Sequence, residues 1–234
     1  MTSPALQPQV TEGPPGSGAV AGGSRAAVEA GAYALRHGGN AVDAALAAFM
    51  ASAISEPVLT SLGGGGFLMV RLPDGTATVL DFFADTPGLG DRPRRPSGFE
   101  PVEVRYPNTV QVFHVGAGSV AVPGAIPGIM AAHQQFGSLP LATIAAPAIE
   151  LAEVGIPIEP MQHSILRLVA RIFEMTPTGR ELVHRPDGSP TLPGDVIRMP
   201  RLADTLRMIA DGTIDSLASP ALACLLYTSP SPRD

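Results

Sequence analysis

Residues 37–48 read HGGNAVDAALAA, and most of the fold can be worked outward from this stretch. Gly38-Gly39 is a stop signal for a helix arriving from the left, because glycine reaches the left-handed conformation that closes a helix. Asn40 is a cap for a second helix, with Asp43 three residues on as its partner in a variant capping box. The incoming helix is predicted over Arg25–His37, capped by Ser24, with Ala26, Ala27, Ala30, Ala34 and Leu35 as its apolar stripe. The outgoing helix is predicted over Ala41–Ile54. It is nearly all Ala, Val, Leu, Phe and Met, so it should be buried on several sides. Glu56-Pro57 ends it, since the residue before proline avoids the helical region.

Four glycines, Gly63–Gly66, come next and lead into Phe67–Leu72, a predicted strand. Pro73-Asp74-Gly75 is a turn, and Thr76–Phe83 is the returning strand. The unbroken apolar run Phe67–Val70 predicts burial on both faces. Residues 84–109 are rich in Pro and Arg and read as a long surface loop, followed by a strand over Val110–Val122. Helices are expected at Gly128–Phe136, at Leu141–Val154 with a kink at Pro147, at Met161–Phe173 and at Arg201–Ala210. The last of these places Leu202, Leu206 and Ile209 on one face, and residues 176–197 read as a turn-rich connection. Two helices followed by a buried hairpin predict helices layered on a sheet, a layered α/β (α+β) fold.

Composition narrows the function. The 234 residues carry a net charge of −6, and all 15 basic residues are Arg. No dense basic run exists, so no nucleic-acid partner is expected. Without Lys there is no Schiff base and no phosphate-loop lysine. The single Cys224 precludes an internal disulfide, and the five histidines never fall at metal-ligand spacing. The Gly63–Gly66 run follows a helix and precedes a strand, the reverse of a phosphate-binding loop, so it is read as a place of close backbone approach. Asp81 and Asp85 are read as turn formers rather than paired catalytic acids. Residues 1–18 read as a flexible leader without signal-peptide character. No stretch suits a membrane span, so the expectation is a cytoplasmic protein with no membrane partner. The stretch 218–234 continues no pattern and reads as a divergent tail.

Several segments in fixed order carry a family likeness. They are HGGNAVDAALAA at 37–48, EP at 56–57, GGGGFLMV at 63–70, DFFADTP at 81–87 and VAVPGAIPG at 120–128, followed by FGSLP at 136–140, APAIELAEVGIPI at 146–158 and MPRLADTLRMIADG at 199–212. Together they resemble the large-subunit portion of gamma-glutamyltransferase, or glutathione hydrolase, over residues 19–217. The resemblance implies an N-terminal-nucleophile hydrolase, an αββα sandwich of which this chain holds an incomplete part. It also implies a partner, the small-subunit portion of the same precursor, and a gamma-glutamyl or related small-molecule substrate. The family's Thr hydroxyl, exposed at the small subunit's new N-terminus, attacks the acyl group with its own α-amine as base. Neither metal nor organic cofactor is implied.

Two departures from the family pattern follow. The Thr-Thr-His cleavage run occurs nowhere, so no catalytic residue is assigned in this chain. Where the family has Asp-Phe-Arg-Glu, this chain has Asp81-Phe82-Phe83-Ala84. The resemblance puts Phe83 at the position of the Arg that clamps the glutamyl α-carboxylate, which makes Phe83 the one substrate-binding candidate. Arg71, Arg94, Arg95 and Arg105 are alternative sources of that charge. The readings left open are a glutamyl-transferring enzyme, a family acylase with a non-glutamyl substrate, and a non-catalytic binding protein on the same scaffold.

Overall fold

The computed structural model describes residues 9–12, 18–86 and 98–214. The chain falls into two units. One comprises residues 1–83, 123–155 and 198–234, and the other residues 84–122 and 156–197.

In the first unit, β1 (Gln9–Glu12) pairs antiparallel with β2 (Ala19–Gly22), so part of the segment read as a leader belongs to a hairpin. Helix α1 (Arg25–Arg36) begins where Ser24 accepts the Ala27 N–H. It ends in a Schellman motif: Gly38 N–H donates to Leu35 O and Gly39 N–H to Ala34 O, with Gly38 at φ +86°. Helix α2 (Ala41–Ser55) starts from the expected Asn40–Asp43 capping box. The two helices pack closely through alanines. Ala27, Ala30, Ala34, Ala44, Ala47 and Ala51 are all buried. At Gly31 a Cβ would lie 2.8 Å from Val20 and 3.0 Å from Ala44 O, so only glycine fits there. A buried Ser24–Ser55 hydroxyl pair at 2.7 Å joins the start of α1 to the end of α2.

Strands β3 (Gly66–Arg71) and β4 (Ala77–Phe82) form the expected hairpin around the Asp74-Gly75 turn. Burial on both faces did not materialise. Only Val70 is buried, while Phe67, Met69 and Val79 on the opposite face stand open at 63%, 72% and 55% exposure. Helix α3 (Ala125–Phe136) starts three residues earlier than expected, because Pro127 falls in the first turn, where its missing N–H costs nothing. Helix α4 (Leu141–Val154) runs on through Pro147. It packs against α8 (Pro200–Ala210), which buries Ala203, Leu206 and Ile209, with Leu202 only half-buried.

The second unit corrects the reading of 84–109 as a loop. Glu100–Tyr106 is strand β5, paired with β6 (Thr109–Val115), and it buries Val102 and Val104. The expected strand over Val110–Val122 stops at Val115. A 3-10 turn at Ala117–Ser119 and an isolated bridge between Asp85 and Val122 follow. Short pieces complete the unit: β7 (Ile156–Pro157), α5 (Pro160–Leu168), α6 (Ala170–Phe173), α7 (Pro177–Val183) and β8 (Val196–Ile197), with β7 pairing β8. The segment expected as one helix is broken at Val169, and the turn-rich connection contains α7. Arg185 forks onto Asp195 through Nε at 2.7 Å and Nη2 at 2.8 Å, closing the loop between them. That pair and the Leu192 N–H hold the Asp195 carboxyl down at about 2.

Both units are mixed α/β with antiparallel hairpins, in keeping with the layered fold class. Among the described residues no helix is long and apolar enough to cross a membrane. The 218–234 tail, Cys224, Arg94 and Arg95 lie outside the described residues.

Candidate functional site

The end of the β3–β4 hairpin opposite the Asp74-Gly75 turn gathers the glycine run, the last residues of β4 and the start of α3. Gly66 pairs with Phe82, so Phe83 is the first residue past the ladder. The Asp81 carboxylate accepts the Phe83 N–H at 3.0 Å and turns the chain there, which is the turn-forming role expected of it. The Phe83 ring is 62% exposed and stacks on Phe67, with ring centroids 5.6 Å apart and planes 17° apart. Such an offset pair leaves one broad apolar surface open to whatever lies above it.

Beneath this surface, backbone meets backbone. The Gly64 carbonyl accepts two N–H groups from the start of α3, Gly124 at 2.9 Å and Ala125 at 3.0 Å. Two of the three free donors of that helix end, Pro127 having no N–H, are thereby satisfied. The glycine run thus supplies an accepting carbonyl, but the close approach expected of it is not what the structure shows: a Cβ at Gly63, Gly64 or Gly66 would find its nearest neighbour at 3.5, 3.2 or 3.4 Å. The Phe82 side chain turns the other way, onto the first turn of α3 at Gly128.

Arg71 does not supply a charge here. It pairs with Ala77 at the far end of the hairpin, so about 20 Å of strand separates it from the position of Phe83. Arg105 belongs to the β5–β6 hairpin and pairs with Glu103 at 2.7 Å. Asp85 lies in the bridge to Val122, its backbone donating and accepting at 3.1 and 2.7 Å.

The stretch read first, 37–48, turns out to be a lock. The Asn40 side-chain amide donates to Phe136 O at 2.7 Å while its oxygen caps α2. Asp43 is fully buried and accepts from the Asn40 N–H, the Ser138 N–H, the Ser138 hydroxyl and the Leu139 N–H. Burial pushes its carboxyl up, but the Ser138 hydroxyl and the three backbone donors outweigh that and hold it below 3.8. The pairing of Asp43 with the FGSLP segment lies beyond what local spacing reveals.

The histidines have structural partners. His37 contacts Tyr33 O, His133 Leu139 O, His163 Thr191 O and His184 Glu174, and His114 sits edge-on to Phe99. Among the described residues, no three His, Cys, Asp or Glu side chains converge as a metal site would require.

Comparison with known proteins bears directly on this arrangement. The sequence model of gamma-glutamyltranspeptidase matches residues 27–226. The chain belongs to that family. Among relatives, it is 35% identical over 188 residues to an Acylase ACY 1 proenzyme of Pseudomonas sp. strain SE83, covering 80% of this chain and 34% of that protein. It is 33% identical over 205 residues to the glutathione hydrolase proenzyme of Bacillus subtilis strain 168, covering 85% and 33%. Among solved structures, the gamma-glutamyltranspeptidase from Pseudomonas nitroreducens complexed with L-DON superposes with a TM-score of 0.72 at 30% identity, over 91% of this chain and 60% of that one. The chain thus spans about a third of the length of its curated gamma-glutamyltranspeptidase-family relatives.

Proposed function

We propose that this chain is the N-terminal part of an acyl-transferring or acyl-hydrolysing enzyme, a gamma-glutamyltransferase or glutathione hydrolase in the broad sense. The nucleophile belongs to the remaining two-thirds of the polypeptide. There a Thr, freed as a new N-terminus, attacks the acyl carbonyl. Its α-amine takes the hydroxyl proton and passes it to the leaving amine, so that an ester to Thr replaces the amide. Water or an acceptor amine then cleaves the ester and restores the hydroxyl. In this reading the chain supplies part of the acyl-donor pocket and the surface on which the small-subunit portion seats. The uncovered apolar face of the β3–β4 hairpin supports the second role.

The observation that carries the reading furthest is residue 83. It stands at an exposed strand end beside the glycine run, where the family pattern carries Arg, yet it is Phe stacked on Phe67. A Phe offers ring surface but no partner for an α-carboxylate. The pocket should therefore favour gamma-glutamyl donors less than an Arg-bearing pocket does, and accept apolar acyl groups in their place. Losing a charge-assisted bond to a carboxylate costs about 1.5–3 kcal/mol, or about ten- to a hundredfold in kcat/KM. The test compares two anilide donors that differ only in the α-carboxylate, using the full-length enzyme and its Phe83→Arg/Ala84→Glu variant. The ratio of kcat/KM values should move at least tenfold toward the carboxylate-bearing donor. An unchanged ratio removes residue 83 from the pocket.

A further inference from the structure

We infer that Gly128, together with Gly124, positions residue 83 by acting as a seat for Phe82. The inference rests on the reading of residue 83 as a pocket residue, but the seat itself can be tested without any activity. Neither glycine is at positive φ, so backbone conformation does not demand glycine at either position. Space does. A Cβ at Gly128 would fall 2.2 Å from Phe82 Cγ, 2.5 Å from Cδ1 and 2.7 Å from Cβ. A Cβ at Gly124 would fall 2.1 Å from Phe82 O and 2.7 Å from its carbonyl carbon. The first glycine therefore receives the Phe82 ring root, and the second receives its backbone.

A third hold comes from the glycine run. Gly64 O takes the Gly124 and Ala125 N–H groups, and Gly66 lies opposite Phe82 in the ladder, where a Cβ would touch the ring at 3.4 Å. Phe82 is thus wedged between the GGGGF and PGAIPG stretches. Phe83, one residue on, has no such wedge. Its placement depends on the Phe82 seat, on the Asp81 hydrogen bond and on the Phe67 stack. Gly124 and Gly128 are positioning residues: they touch Phe82 and act on residue 83 through it.

The experiment uses the fact that the chain contains no Trp. In a Phe83→Trp background the single indole, stacked on Phe67, gives a near-ultraviolet circular dichroism band that reports residue 83 alone. Gly128→Ala should abolish at least half of that band. Alanine would otherwise be the better helix former at this position, so the sign of its effect on Tm is informative. With Phe82 present, Gly128→Ala should lower Tm. With Phe82→Ala, which removes Cγ and Cδ1, more than half of that loss should disappear. Gly124→Ala collides with backbone atoms, so Phe82→Ala should leave its Tm loss unrelieved. Should Gly128→Ala fail to fold, Phe82→Ala alone carries the readout, since emptying the seat should also weaken the band. An unchanged band in the folded variants, or additive Tm losses for Gly128→Ala and Phe82→Ala, overturns the inference. In the full-length enzyme, Gly128→Ala should raise KM for the acyl donor more than it lowers kcat. A retained band effect with no effect on KM would leave the seat standing and reject the role of residue 83 in the pocket.

Discussion

Asp43 offers the sharpest energetic test of how the unit around the site is held together. Replacing it with Ala strips the acceptor from the Asn40, Ser138 and Leu139 N–H groups and from the Ser138 hydroxyl. The hydroxyl can turn elsewhere, and the Leu139 contact is long at 3.4 Å, so two backbone donors carry most of the loss. Both bonds are only part-buried, so each lost partner costs toward the low end of about 1–3 kcal/mol, which gives about 2–3 kcal/mol for Asp43→Ala, the capping arm being the Asn40 bond already counted. Asp43→Asn keeps the shape but turns an N–H₂ toward N–H donors, and about half of that loss is expected. Urea unfolding at ~pH 7 measures both. The sign of the pH dependence follows from the lowered carboxyl. Its contribution is full above the unfolded value of 3.8 and disappears as pH falls through the lower folded value. The gap between wild type and Asp43→Asn should therefore stay constant down to ~pH 4 and narrow below it. A loss under ~0.5 kcal/mol for Asp43→Asn, or a gap that ignores acid, would refute the reasoning.

The Arg185–Asp195 fork should keep its loop closed well into acid, because the Arg185 hydrogen bonds bring the Asp195 carboxyl from 3.8 down to about 2. Arg185→Lys cannot reproduce two parallel bonds, so protease cleavage between residues 185 and 195 should accelerate, and an unchanged cutting rate would contradict this. On the uncovered hairpin face, Met69→Thr with Val79→Thr should cut the binding of dyes that report exposed apolar surface while leaving Tm nearly unchanged, since neither side chain is packed. Equal dye binding in both proteins would place the exposed patch elsewhere.

Local chemistry was readable from sequence and distant packing was not. The Ser24 cap and the Asn40–Asp43 box were legible because cap, first turn and stop lie within a few residues of one another. Phe67–Val70 misled because hydrophobicity does not say which face of a strand is covered: the Phe83 ring lies against Phe67, yet Phe67 and Met69 both stay largely exposed. Pro101 and the arginines around β5 hid a strand whose signal is the short alternation Val102, Val104. At the candidate site, Phe83 was reachable through the family pattern alone. The seat under Phe82 joins residues 82 and 128, and no periodicity connects them. The same holds for Asp43 and Ser138, which are 95 residues apart.

The central claim is that acyl chemistry runs through a Thr outside this chain, with this chain shaping the donor pocket. Intact-mass analysis of the full-length protein, quenched during turnover of an acyl anilide, tests it most directly. The account predicts two polypeptides formed by self-cleavage, with the acyl mass added only to the one that begins with Thr and none on the piece containing residues 18–214. An acyl adduct on that piece, or turnover by the 234-residue chain alone, would contradict it.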